Sequence, residues 1–183
     1  MSTDRLPGIR PRPSLWRRLD MAARRSVPTS TAAILLLVTS APLGLPGQAE
    51  LQATIALCCV FFWSLFRPAS MPPPMVFMLG LLTDLLGYAP PGVGVLTLLL
   101  VHGLALRWRR VLTRMGFLVV WLTFVGVASG AAAMQWALTS LLTFRLLPPA
   151  AAFFQAALGA GIYPLLAVVF THAHQTLAEP EQA

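Results

Sequence analysis

Six runs of apolar residues, set apart by short segments rich in proline, glycine and arginine, fill the chain from residue 28 to residue 171. They lie at about 28–47, 51–66, 72–88, 93–106, 115–142 and 149–171. A soluble domain of 183 residues cannot hide that much apolar surface, because helices and sheets alternate buried with solvated faces. Only 10% of the residues are charged, and mean hydropathy is +0.74. Runs of this kind belong in lipid, where every backbone N–H and C=O must be paired inside its own segment. The expected fold class is therefore an all-α integral membrane protein, with about six transmembrane helices in one bundle. Several runs are shorter than the ~20 residues that cross hydrocarbon straight. Flanking Arg and Trp can snorkel to make up part of the deficit.

The charge distribution sets the expected orientation. The net charge is +7, and all thirteen basic residues are arginine. Seven precede residue 26 (Arg5, Arg10, Arg12, Arg17, Arg18, Arg24 and Arg25), and four form the cluster Arg107, Arg109, Arg110 and Arg114. Both groups flank apolar runs, which is how topology determinants sit at an anionic membrane face and not how a nucleic-acid surface is built. With six spans and a cytoplasmic N-terminus, Arg67, the 107–114 loop and the C-terminus are also cytoplasmic. Twelve of the thirteen arginines then lie inside and only Arg145 outside. The expected organisation is an Arg-rich cytoplasmic tail over 1–26, a six-helix transmembrane domain over 27–172 and a short cytoplasmic tail over 173–183. Within the first tail, Leu15 to Arg25 can lie on the membrane as a basic helix. Gly47-Gln48-Ala49 resembles a small-x-small cleavage site, but the charged region before the first run is too long for a signal peptide. That run is expected to remain as a helix.

Few residues carry chemistry. Cys58 and Cys59 are adjacent in an apolar run, without metal-ligand spacing, and read as small apolar residues. His102 stands alone in the fourth run and reads as a hydrogen-bonded packing histidine. His172 and His174 read as interfacial, and Gln135 and Gln155 as partners in bonds between helices. Ser129 precedes Gly130 without an obvious base, and there is no H-E-x-x-H, no P-loop and no pair of intramembrane acids. The expectation is a protein that is not an enzyme and uses no metal or cofactor. Gly126 and Gly130, the alanines 152, 156 and 160, and the pair Ala157 and Gly161 have the spacing that lets helix backbones approach in lipid. Pro164 is expected to bend the sixth helix.

Asp84 is the one acid inside the apolar runs. An ionised carboxylate facing lipid is costly, so it should point inward or to the interface, as a partner-binding or helix-anchoring residue. Gly80 lies one helical turn before it, on the same face. The turn Tyr88-Ala89-Pro90-Pro91-Gly92-Val93-Gly94 follows, with prolines that fix φ and glycines that allow left-handed backbone or close approach.

The stretch from Pro74 to Gly87, with Phe77, Gly80, Leu81 and Asp84, followed by Pro91-Gly92-Val93-Gly94, resembles the bacterial rod shape-determining MreD family. That family pairs a P…F-x-x-G-L-x-x-D pattern with a Gly-containing turn and an apolar helix. The resemblance implies a fold like the six-helix substrate-binding components of energy-coupling-factor transporters. It also implies a place in the inner membrane, within the elongation complex that organises lateral peptidoglycan synthesis and cell shape. The implied partners, besides the lipid bilayer, are MreC, MreB, RodA and the elongation-specific penicillin-binding transpeptidase; Gly80, Asp84, Gly92 and Gly94 are the implied contact or anchoring residues. The fold relationship supplies an alternative, a substrate-binding membrane component of a small-molecule (vitamin) transporter. That reading requires a polar pocket near the outer face. There the sequence offers only Asp84, Tyr88 and Thr97, which argues against it.

Overall fold

The computed structural model describes residues 28–41, 47–87 and 89–178, the last seven of these for their backbone alone. The tail over 1–26 with its seven arginines, Tyr88, and the side chains of His172 and His174 lie outside the described residues. Those described form six α-helices and no strand: α1 Pro28–Thr39, α2 Gln48–Phe66, α3 Pro73–Leu86, α4 Val93–Leu112, α5 Phe117–Thr143 and α6 Ala150–Ala178. A 3₁₀ turn, Pro68–Ser70, links α2 to α3.

Proline and glycine set the helix boundaries. Pro28 opens α1, and Pro73 and Pro74 occupy the first turn of α3, where the missing N–H has no intrahelical partner to lose. Pro68 halts α2. Gly47 and Gly92 precede α2 and α4 with φ of 83° and 99°, backbone that disfavours side chains larger than glycine's.

α2, α5 and α6 are long and apolar enough to cross a membrane. α1 and α3 are shorter than the runs that contain them; at 1.5 Å per residue they reach only about 18–21 Å, against roughly 30 Å of hydrocarbon. α4 is long enough, but it ends on charge. The sequence reading put Arg107 to Arg114 in a loop, whereas α4 continues to Leu112 and carries Arg107, Arg109 and Arg110 on its last turns. Cations there complement the negative end of the helix dipole. Likewise α6 runs on past the boundary expected at 172.

α2 is the central post, packed against α4 and α6 and touching α3 and α5. Cys58, Cys59, Val60, Phe61, Trp63 and Leu65 have no solvent exposure. Phe124 of α5 stacks on Tyr163 of α6 with ring centroids 4.2 Å apart, and Phe61 of α2 meets Phe124 edge-on at 5.2 Å. Such pairs add about 0.5–1.5 kcal/mol each beyond the area they cover. α5 and α6 hide only 28% of their apolar windows, leaving Leu118, Leu122, Phe153 and Leu165 outward, as helices facing lipid do.

The glycines of the small-residue stripes are uncrowded. A Cβ on Gly126, Gly130 or Gly161 would meet nothing within 4 Å, so these glycines do not bring helices of this chain together. Gly159, outside those stripes, does: its Cβ position lies 3.4 Å from the Ala128 side chain and 3.6 Å from Phe124.

Candidate functional site

Asp84 is buried, at 8% exposure, near the C-terminal end of α3. Its Oδ2 accepts the backbone N–H of Gly92 at 2.8 Å and of Val95 at 3.3 Å, and its Oδ1 accepts that of Gly94 at 2.7 Å. These N–H groups open α4, where no intrahelical carbonyl can reach them. The carboxylate thus caps the next helix from eight to eleven residues away and meets the positive end of its dipole. The glycines make room for it. A Cβ at Gly94 would stand 2.5 Å from Asp84 Oδ1, and a Cβ at Gly80 would stand 2.5 Å from the Val95 Cα. Gly80, Asp84, Gly92 and Gly94 therefore meet in one latch that fastens α3 to α4.

At the opposite end of α4, Arg109 Nε donates to the carbonyl of Leu65 at 2.7 Å. Leu65 lies in the last turn of α2, which Pro68 cuts short, so the guanidinium serves as a C-terminal cap. Between these ends, His102 Nδ1 and Ser64 Oγ are 2.7 Å apart, both buried. His102 is thus a hydrogen-bonded histidine of the core.

A cavity of about 320 Å³ opens beside the latch, between the start of α2, the end of α3, the second half of α5 and the start of α6. Gln52, Gln135 and Gln155 line it, together with Glu50, Asp84, Thr83 and Thr139. Gln155 Nε2 donates to Gln135 Oε1 at 2.7 Å, and Thr54 Oγ1 donates to the Gln155 carbonyl at 3.3 Å. Gln52 is 4% exposed, and its amide has no hydrogen-bond partner among the described residues. The Trp136 indole forms part of the wall, held by its N–H on the Leu147 carbonyl at 2.9 Å. Small alanines, Ala53, Ala132 and Ala152 among them, complete the lining and leave the space open.

This cavity corrects the sequence reading, which found too few polar groups for a pocket. Of the two described residues named for such a pocket, Asp84 lines the cavity and Thr97 does not. Thr97 is wholly buried and donates to the Val93 carbonyl at 2.7 Å. Glu50 was also missed, because α2 begins at Gln48, three residues before the apolar run. The signal present in the sequence was a count. Of six acidic residues, only Glu50 and Asp84 fall between residues 28 and 178, and both line this space.

A second hollow, an apolar groove of about 820 Å³, runs between α4 and α5 along Leu100, Leu104, Trp108, Gly126, Gly130 and Met134. The two glycines thus shape an open surface instead of an internal contact.

Comparison of the chain with known protein families, with characterised proteins and with solved structures finds no match.

Proposed function

We propose that this chain is a non-enzymatic, multi-pass component of the bacterial inner membrane that belongs to the cell-elongation complex and organises lateral peptidoglycan synthesis. The observation that carries this reading is the α3–α4 latch. Four residues of the rod-shape motif, Gly80, Asp84, Gly92 and Gly94, converge on one contact, in which the single carboxylate holds a helix N-terminus through three N–H groups. Their chemistry goes into fixing two helices relative to each other, as a scaffold requires, and not into a reactive group. In this reading the six helices form the membrane bundle, with shorter α1 and α3 tilted or matched by local thinning of the bilayer. Both termini and the Arg107–Arg114 segment are cytoplasmic. The partners are MreC, MreB, RodA and the elongation-specific penicillin-binding transpeptidase. Depletion of the protein in its own host should turn rods into round or swollen cells while growth at the septum continues. Rods of normal width and length after depletion would refute the reading.

One observation favours a second reading, a substrate-binding membrane component for small-molecule uptake: the glutamine-lined cavity beside the latch. In that case depletion would leave cell shape unchanged and abolish uptake of one solute.

A further inference from the structure

The cavity beside the latch gathers carboxylates and amides from four helices. Both acids between residues 28 and 178 line it, as do Gln52, Gln135 and Gln155 from three different helices. Apart from these, the lining consists mainly of alanines, threonines and one fixed indole. Ligand sites have this form: a compact, mostly apolar space with a few convergent polar groups.

The hydrogen-bond inventory shows what those groups still lack. Asp84 is satisfied by the start of α4. The Gln155–Gln135 bond uses one donor hydrogen of Gln155 and the carbonyl oxygen of Gln135. It leaves the Gln135 NH₂ donors and the Gln155 side-chain Oε1 unused among the described residues. Gln52 has its whole amide unused, although the residue is 96% buried, since 4% is exposed. Its amide atoms are not sealed in protein but remain open to the cavity. A buried amide without a partner is costly, and that cost is removed when something enters and bonds to it.

We infer that this cavity is a binding site for a compact, non-anionic molecule carrying a carboxamide or ureido group. Free glutamine amides present an N–H beside a C=O. A carboxamide or cyclic urea presents the same pair reversed, and so makes two hydrogen bonds at once. Glu50, which lines the space without a partner among the described residues, disfavours anions, as does the Asp84 carboxylate beside it. The Trp136 indole adds aromatic surface to the lining, which suits a planar ligand. This inference rests on neither reading of cellular function, because binding is measured on the isolated chain.

The test uses the full chain purified in detergent, with nicotinamide and imidazolidin-2-one as probes and nicotinate as the matched anion. Two quantities are read: the thermal unfolding midpoint, and the rate of maleimide labelling of Ala152→Cys, a position that lines the cavity and is partly exposed. Cys58 and Cys59 are fully buried and give a low background. At millimolar concentration, nicotinamide or imidazolidin-2-one should raise the midpoint and slow labelling by about threefold or more, as occupancy above Kd requires. Nicotinate should do neither. Gln52→Met keeps length and volume while removing the amide; in that background the concentration giving half-protection should rise about tenfold, the equivalent of one hydrogen bond. No effect of either neutral probe on melting and labelling would overturn the proposal. So would equal protection by nicotinate, or unchanged protection in Gln52→Met. Should Gln52→Met fail to fold, the labelling of Ala152→Cys with wild-type Gln52 still decides the question.

Discussion

Asp84 Oδ1 accepts the backbone N–H of Gly94 at 2.7 Å, in a space that exists only because residue 94 has no side chain. The same carboxylate takes the N–H groups of Gly92 and Val95, so one side chain of α3 supplies the N-terminal cap of α4. The first prediction concerns this cap. Asp84→Leu suits lipid but leaves three N–H groups without their acceptor and should lower unfolding stability by about 1–3 kcal/mol. Asp84→Asn retains one oxygen but turns an NH₂ towards an N–H donor, so it should fall between Leu and the wild type. Denaturant titration in mixed micelles measures both. Equal stability of Asp84→Leu and wild type would show that the cap is dispensable.

The glycines make a second, sharper prediction, because the structure separates those that are crowded from those that are not. Gly80→Ala sets a methyl against the Val95 backbone, which cannot yield as a flexible side chain can, and should cost about 1–3 kcal/mol. Gly126→Ala meets open space in mid-helix and should be neutral or stabilising by up to about 1 kcal/mol, since alanine is the better helix former. Spacing alone would have singled out Gly126 and Gly130 instead. If the two substitutions behaved alike under denaturant, the helix contact assigned to Gly80 would be wrong.

Those contrasts show what could be read in the chain and what could not. The residues of the latch stood out because they are local: Gly80, Asp84, Gly92 and Gly94 lie within fifteen residues, and an acid in an apolar run has few places to go, although the cap on α4 was not read from them. The helical class was equally plain, since hydropathy needs no partner to be informative. The cavity was not legible. Gln52 and Gln135 are more than eighty residues apart, and each alone is an ordinary polar residue in a helix. Only the packing of α2 against α6, and of α6 against α5, brings Gln52, Gln155 and Gln135 to one space. That Gly126, Gly130 and Gly161 meet no other helix of this chain was not legible for the same reason: spacing identifies a face but not what the face meets.

Topology gives the third prediction. With an even number of spans, alkaline phosphatase fused after Ala183 should be inactive and a fluorescent protein fused there should glow, because twelve of thirteen arginines then lie on the cytoplasmic side. A phosphatase fused within the Phe144–Pro149 turn, beside Arg145, should be active. An active phosphatase after Ala183 would show that an odd number of segments crosses.

Arg109 carries the last prediction, because it has two roles that substitution can separate. As one of four arginines in the 107–114 cluster, it contributes positive charge that lysine would supply equally. As the cap on α2, it directs Nε to the Leu65 carbonyl at 2.7 Å, and lysine has no group at that position on a planar fork. Arg109→Lys should therefore leave fusion reporters of topology unchanged and yet lower stability by about 1 kcal/mol, the net contribution of a typical hydrogen bond, since the residue is otherwise exposed. Arg109→Gln should lose at least as much stability, while three arginines of the cluster still hold the orientation. Arg107→Lys is the control: residue 107 is exposed on α4 and should tolerate the exchange within about 0.5 kcal/mol. Both roles are tested in one denaturant series with one set of fusions. If Arg109→Lys and Arg107→Lys unfolded at the same denaturant concentration as the wild type, the α2 terminus would need no cap from α4, and the cluster would act through charge alone.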